Sequence, residues 1–295
     1  MTLFGLPAPR QAVIRGQFPT SSVFGLRSRE SRLTFGAVYP MEASPGTPMQ
    51  EIEFHRAMHR VGVVPGTIVD AGAHDGRLTL PLADLPGTRV IAFEPLPPAF
   101  ARLCQAIAGL PPNRVTPRPE ALSDRAGSVT LAVPRVGGEA QEEWASIAKD
   151  YAAIQRDDPR VEAIDRWTVP TLTLDSLRLT DVTAIKIDVE GAEEEVLRGA
   201  LDTLRRCRPV MSVEIEERHR AGSTRAVPDL LRPLGYSGYF EFYGDWRPIE
   251  ALDIETMQKG SPSPAAFEVS HPYVFGFYFV PPERVADLAV LARLS

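Results

Sequence analysis

The chain is short of lysine, of cysteine and of long apolar runs. Of its 295 residues only three are Lys (149, 186 and 259), against 29 Arg, and only two are Cys (104 and 207). Two distant cysteines in helix-like surroundings make neither a disulfide framework nor a metal site, so no metal is expected and a reducing, cytoplasmic setting is the default. No apolar stretch approaches the ~18 residues of a membrane span; the longest candidate, 273–282, has the length of a strand. The start of the chain lacks the compact apolar segment of a secretory signal. A net charge of −6 argues against general nucleic-acid binding, which needs a basic surface. The arginine excess reads as coding bias and carries no function.

What is present is ordinary for a globular protein: 44% apolar and 24% charged residues, enough to bury a core. The length suits two domains, or one α/β domain with extensions. Residues 1–48 differ from the rest, being rich in Ser, Pro, Gly and Arg with no apolar period. Residues 1–41 carry +4, which leaves −10 for the remainder. This segment is expected to be a flexible or wrap-around arm. Its composition is also that of an organelle transit peptide, although upstream sequence before a working start at Met41 is the favoured reading. One domain is then expected over 49–295, with insertions near 134–167 and 244–272.

Element types alternate from residue 50 onward. A helical pattern covers Gln50–Val61, where His55 and His59 stand at i, i+4 spacing. They lack the Glu of a zinc-protease helix, so a solvated face is expected there. Strands are expected at Thr67–Asp70, Arg89–Glu94, Val115–Leu122, Val169–Leu174, Ala184–Val189, Pro209–Ile215, Tyr239–Tyr243 and Val274–Val280, with Ser128–Val133 pairing nearby. Helices are expected at Leu78–Leu85, Pro98–Leu110, Ala192–Arg206, Asp229–Leu234 and Pro282–Leu294. Buried strands alternating with helices mean a mostly parallel sheet covered on both faces.

Three strand ends carry candidate chemistry. Asp70-Ala-Gly72-Ala73-His74-Asp-Gly76 closes the first strand, and its glycines let backbone turn sharply and approach a ligand. His74 stands where a dinucleotide fingerprint needs its middle glycine, and no Gly-Lys-Ser/Thr follows, which disfavours a P-loop. Glu94-Pro95 ends the second strand about 20 residues on, where an acid can accept hydrogen bonds from ribose hydroxyls. The alternative for Glu94 is capping of the next helix. Glu120-Ala121-Leu-Ser123-Asp124 ends the third strand, where an adenine edge would lie. The sharpest segment is Ile185-Lys186-Ile-Asp188-Val-Glu190-Gly-Ala-Glu193. Period two puts Lys186 and Asp188 on one side of a buried strand, where charges must pair or face a cleft. Glu214, Glu216, Glu217 and His219 follow the fifth strand; a substrate-lining role and a solvated strand end are equally compatible with the pattern.

With these segments on the page, the chain resembles the FkbM-type S-adenosylmethionine-dependent methyltransferases. The resemblance runs from Thr67 to Val280. It rests on Val-Asp70-Ala-Gly-Ala, Ala-Phe-Glu94-Pro, Ala-Leu-Ser-Asp124, Val169-Pro-Thr-Leu-Thr-Leu-Asp175 and above all Ile185–Glu193 with Val196-Leu-Arg-Gly-Ala200. His74 departs from the Asn usual in the family. The resemblance implies a class I, Rossmann-like methyltransferase fold with a seven-stranded sheet containing one antiparallel strand and helices on both faces. It further implies methyl transfer from S-adenosylmethionine to a hydroxyl on a sugar, glycan or secondary metabolite. Asp70, Gly72, Ala73, Gly76, Glu94, Pro95, Glu120, Ala121, Ser123 and Asp188 are the expected cofactor residues. Asp188 is the expected base or acceptor-orienting group, followed by Glu190 and His74. No nucleic-acid partner is expected. Two rivals keep a similar fold: a nucleoside-binding protein without catalysis, and a nicotinamide-dependent oxidoreductase, against which His74 counts.

Overall fold

The computed structural model describes residues 51–62, 65–260, 263 and 273–288. The expected arm over 1–48 and the end of the expected C-terminal helix lie outside the described residues. The described chain opens with α1 (Glu51–Val61), β1 (Gly66–Ala71), α2 (Thr79–Ala83), β2 (Thr88–Phe93), α3 (Pro97–Ile107) and β3 (Val115–Arg118). A second group follows: β4 (Ala121–Leu122), β5 (Gly127–Val136), β6 (Glu139–Ala140), α4 (Tyr151–Asp157) and β7 (Val161–Leu172). The chain then returns through β8 (Val182–Ile187), α5 (Glu193–Arg198), α6 (Leu201–Cys207), β9 (Val210–Glu214), α7 (Ser223–Leu231), β10 (Ser237–Phe242), β11 (Asp245–Pro248) and β12 (Gly276–Val280).

The main sheet runs β11-β10-β12-β9-β8-β1-β2-β3. β3, β2, β1, β8 and β9 pair in parallel, and β12 is antiparallel to both β9 and β10. This is the strand order of a class I methyltransferase, with one correction: the sheet has eight strands rather than seven. The extra strand, β11, is a hairpin return from β10. Tyr243 and Gly244 both take positive φ (54° and 87°), the backbone twist that a two-residue hairpin turn requires.

Side-chain parity sorts the core into two layers. Val69 and Ala71, Ile185 and Ile187, Met211 and Val213 point to one face, where they meet Val196, Leu197, Leu204, Val227 and Leu231 of α5–α7. Ile68, Ala184 and Val210 point to the other, against Ile52, Phe54, Ala57 and Met58 of α1 and Leu82 and Leu103 of α2 and α3. Burying each such Leu, Ile or Phe side chain contributes roughly 1.5–3 kcal/mol, which keeps both helical layers in place. Asp70, Lys186 and Ser212 share the parity of Ile68, Ala184 and Val210, so they face α1.

Four expected elements are revised. The strand expected over Val115–Leu122 divides, because Pro119 has no N–H with which to continue a ladder. Val115–Arg118 stays in the main sheet, and Ala121–Leu122 joins a second, four-stranded sheet of order β4-β7-β5-β6. That sheet is dominated by the long antiparallel β5–β7 pair, whose strands flank and enter the insertion expected near 134–167. The single helix expected over Ala192–Arg206 is two. Gly199 passes so close to Ser123 that a Cβ would lie 2.0 Å from its carbonyl oxygen, and Asp175 caps a fresh helix start by accepting from Asp202 and Thr203 N–H (3.0 and 2.7 Å). The helix expected at Asp229–Leu234 starts earlier, at Ser223, and 282–287 forms a 3-10 run.

Candidate active site

Strand register builds the floor of the site. Asp70 of β1, Lys186 of β8 and Ser212 of β9 stand in one row across three neighbouring strands. Lys186 Nζ donates to Gly72 O at 2.7 Å and lies 3.4 Å from Asp70 Oδ1 and 3.5 Å from Asp188 Oδ2. Burial works against this ammonium. The carboxylates of Asp188, Asp70, Glu51 and Glu214 outweigh it and raise the pKa. Asp70 is fully buried; its Oδ2 accepts from Thr79 Oγ1 at 2.6 Å, and its Oδ1 has no hydrogen-bond partner.

The glycine turn leaves β1 across the end of β2. Gly72 (φ +82°) and Ala73 both donate N–H to Phe93 O, at 3.0 and 2.9 Å. His74 adopts φ +50°, and its N–H donates to Glu94 Oε2 at 2.8 Å, while Leu96 N–H donates to Oε1 at 2.8 Å. Glu94 is therefore buried and fixed by backbone on both oxygens. Burial, partly offset by those donors, raises its pKa to about 7. The His74 ring lies 3.5 Å from Arg102 Nη2 and 3.7 Å from Asp75. Pro95 follows Glu94 at the head of α3, half-buried.

The exit of β8 makes the other wall. Asp188 is a third exposed, and Glu190 (φ +56°) and Gly191 (φ +104°) reverse the chain into α5. Ser146 Oγ donates to Glu190 O at 2.6 Å, and Lys149 Nζ donates to the Glu190 carboxylate. Burial raises Glu190 to about 7 despite that lysine. Glu193 folds back to accept Gly191 N–H at 2.8 Å, and burial raises it to about 8. His219 is buried with Nε2 3.2 Å from both Glu190 Oε2 and Glu216 Oε1; burial, Lys149 and Arg218 hold it far below the usual histidine range. Glu216 is paired bidentately with Arg218 (2.6 and 2.7 Å). Carboxylate oxygens of Asp188, Glu190 and Glu214 all lie within 4.8 Å of one another.

Asp70, Gly72, Ala73, His74, Glu94, Asp188 and Glu190 thus meet at the C-terminal ends of β1, β2 and β8. The third expected strand end is arranged differently. Glu120 is tied to Arg118 (2.7 and 3.0 Å), and Ala121 pairs with Thr171 in the second sheet. Ser123 N–H is committed to Leu172 O, and Ser123 lines a 340 Å³ cavity with Arg125, Gly127, Ile147, Ala192 and Arg220. Gly76 (φ +88°) packs on Leu103.

Sequence reasoning placed the helix α1 but missed its part in the site. His55 is not on a solvated face: it is 2% exposed and its Nε2 lies 2.9 Å from Ser212 Oγ. Burial lowers its pKa to about 3, so it is neutral. Glu51, one turn earlier on the same face, reaches the charges of Lys186, Asp188 and Asp70, and burial raises it to about 7. The i, i+4 spacing of Glu51 and His55 was the available signal. Two of the chain's three lysines, 149 and 186, have side chains only 3% exposed, both within the site.

This sheet order, with a glycine turn, an acid after β2 and charged residues at the end of β8, defines a class I methyltransferase. The profile of the Methyltransferase FkbM domain matches residues 70–237, more than half of the chain, and the chain belongs to that family. The 2-O-methyltransferase NoeI of Sinorhizobium fredii is 28% identical over 200 residues, covering 62% of this chain and 79% of NoeI. Among solved structures, a methyltransferase FkbM from Methylobacillus flagellatus aligns over 78% of this chain with a TM-score of 0.44 and 15% identity. The chain spans half the length of that protein. A SAM-dependent O-methyltransferase from Thermotoga maritima aligns over 80% of this chain and 67% of its own, with a TM-score of 0.38 and 12% identity.

Proposed function

We propose that this protein uses S-adenosylmethionine to methylate a hydroxyl group on a sugar, glycan or secondary metabolite. The observation that carries the reading is the Lys186 bridge, which ties Gly72 O of the cofactor turn to Asp188 at the mouth. The residues present suit the cofactor. Asp70, Glu94, Asp188, Glu190 and Glu214 make the pocket strongly acidic, favourable to a ligand with cationic sulfonium and ammonium groups. Glu94 has lone pairs left for ribose hydroxyls once its two backbone donors are counted. Gly72, Ala73, Gly76, Pro95 and Ser123 are proposed to shape the same pocket, with Glu120 and Ala121 behind Ser123. The similarity to NoeI supports oxygen as the methylated atom.

S-adenosylmethionine supplies an already activated methyl group. What remains for the protein is alignment of the acceptor oxygen and removal of its proton. Asp188 takes both roles in this proposal, being the partly exposed carboxylate beside the cofactor turn. Lys186, 3.5 Å from Asp188 Oδ2, steadies it. Glu190 and His74 flank the same opening as secondary candidates. The cytoplasm is the proposed setting; no helix among the described residues is long and apolar enough to cross a membrane.

Incubation with methyl-labelled S-adenosylmethionine and a panel of hydroxylated sugars, glycans and metabolites tests the proposal. Label transferred to an acceptor oxygen is expected. Label found only on nitrogen or carbon acceptors overturns O-methylation. Tight cofactor binding with no transfer to any acceptor would favour the non-catalytic rival.

A further inference from the structure

We infer that residues 142–149 form the acceptor-facing wall of the site, and that Lys149 is the positioning residue that fastens this wall to the exit of β8. The segment follows β6 and, like a strap, touches both rims of the opening. On one rim, Glu142 pairs with Arg102 of α3, whose Nη2 lies 3.5 Å from Nε2 of His74. On the other, Ser146 Oγ donates to Glu190 O at 2.6 Å, and Lys149 Nζ donates to the Glu190 carboxylate. Between these tethers the backbone is pinned to the second sheet, because Ser146 and Ala132 of β5 exchange two hydrogen bonds, each of 3.0 Å.

Glu190 needs this support. Its φ of +56° is a conformation in which a non-glycine residue persists only where the surroundings over-determine it. The strap supplies a hydroxyl to its carbonyl and a buried ammonium to its side chain. Ser146 Oγ also accepts Ala148 and Lys149 N–H, at 3.0 and 3.1 Å, which curls the strap back toward Glu190. A Cβ on Gly191 would lie 3.0 Å from Ala148 Cβ, so the strap and the β8 exit are in direct contact. Asp188 stands two residues before Glu190 and is a third exposed, so the hold on Glu190 fixes the lip on which Asp188 sits. Gly72, Ala73 and Glu94 are held by Phe93, His74 and Leu96 instead. The strap therefore borders the acceptor side of the opening and leaves the cofactor turn to its own bonds.

That the ligand on this side is the methyl acceptor rests on the hydroxyl-methylation reading; the fastening itself does not. The full native chain is compared with Lys149→Met, Lys149→Arg and Glu142→Gln. Without ligand, amide hydrogen exchange at 144–149 and 190–192 should run at least ~10-fold faster in Lys149→Met and near the native rate in Lys149→Arg. Affinity for S-adenosylhomocysteine, read by calorimetry, should stay near the native value. With an acceptor found by the labelled-methyl panel, its KM should rise at least ~10-fold in Lys149→Met while kcat falls less. Lys149→Arg, which keeps the charge, should recover most of that loss. If Lys149→Met does not fold, Glu142→Gln, which frees the other tether, reads the same quantities. Native exchange in a folded variant overturns the fastening. An unchanged acceptor KM, or a loss of S-adenosylhomocysteine affinity as large as the rise in KM, overturns the acceptor-facing role. A native chain that transfers no methyl group refutes the methylation reading, and hydrogen exchange then still decides whether Lys149 fastens the strap.

Discussion

Gly72 faces the carbonyl oxygen of Asp188 so closely that a Cβ on Gly72 would lie 1.8 Å from it. The turn after β1 and the exit of β8 are therefore interlocked, and neither can move alone. Gly72 also holds φ +82°, a conformation that L side chains rarely adopt. Gly72→Ala should cost at least ~2 kcal/mol in denaturant unfolding and abolish cofactor binding. A variant with the native denaturation midpoint and native affinity would show that the two turns are not mechanically joined.

Glu94 gives a pH prediction with a definite sign. Its folded pKa of about 7 lies above the ordinary value of 4.5, so between these limits the folded state holds more protons than the unfolded one. Its contribution to stability is greatest below about pH 4.5 and declines as pH rises to about 7. Ribose hydroxyls donate best to the ionised form, so cofactor affinity should run the opposite way. From pH 8 to pH 6 it should weaken about tenfold as the ionised fraction falls. Glu94→Gln should flatten that profile, and Glu94→Ala should weaken binding by roughly 1–3 kcal/mol by calorimetry. An unchanged affinity in Glu94→Ala would remove the ribose role.

Asp188→Asn keeps the shape and hydrogen-bonding capacity of the side chain but cannot take a proton. Cofactor should bind nearly normally while turnover falls ~10²–10⁴-fold, the usual span of general-base effects. Turnover within a few-fold of the native rate would make Asp188 structural. The search for the base would then move to Glu190, His74 or Glu214.

Asp175 holds the start of α6 through two backbone donors, Asp202 and Thr203. Asp175→Ala should lower stability by ~1 kcal/mol, as loss of a helix cap does, with little effect on cofactor binding. A loss of binding as large as that of Glu94→Ala would mean that the α5–α6 break transmits to the site.

The sequence of residues 1–40 has no periodic apolar face, and these residues are proposed to be a dispensable arm. A chain beginning at Met41 should melt with the full-length protein and bind cofactor equally well. A markedly lower melting temperature would show that the arm packs on the domain.

Parity and burial made Asp70, Lys186 and Asp188 legible: a charged pair inside an otherwise apolar strand has few places to go. Strand ends gave the glycine turn and Glu94 their positions. The second sheet stayed hidden because β5 and β7 are largely half-buried or exposed and show no clean two-residue alternation. Gly199 looked like part of one helix because the reason for the break, the Ser123 carbonyl, lies 76 residues away in sequence. His55 was misjudged for the same reason: its partner, Ser212, is 157 residues distant. Local pattern carries periodicity and turn chemistry, whereas these features depend on what packs opposite.

The scarcity of lysine has a practical outcome at the bench. Lys149 and Lys186 are shielded, whereas Lys259 is exposed. Amine-directed reagents therefore meet a single accessible lysine side chain in the described part of the folded domain. A dye, tether or solid support attached through Lys259 leaves both site ammonium groups untouched, and the arginine-rich exterior does not compete for the reagent.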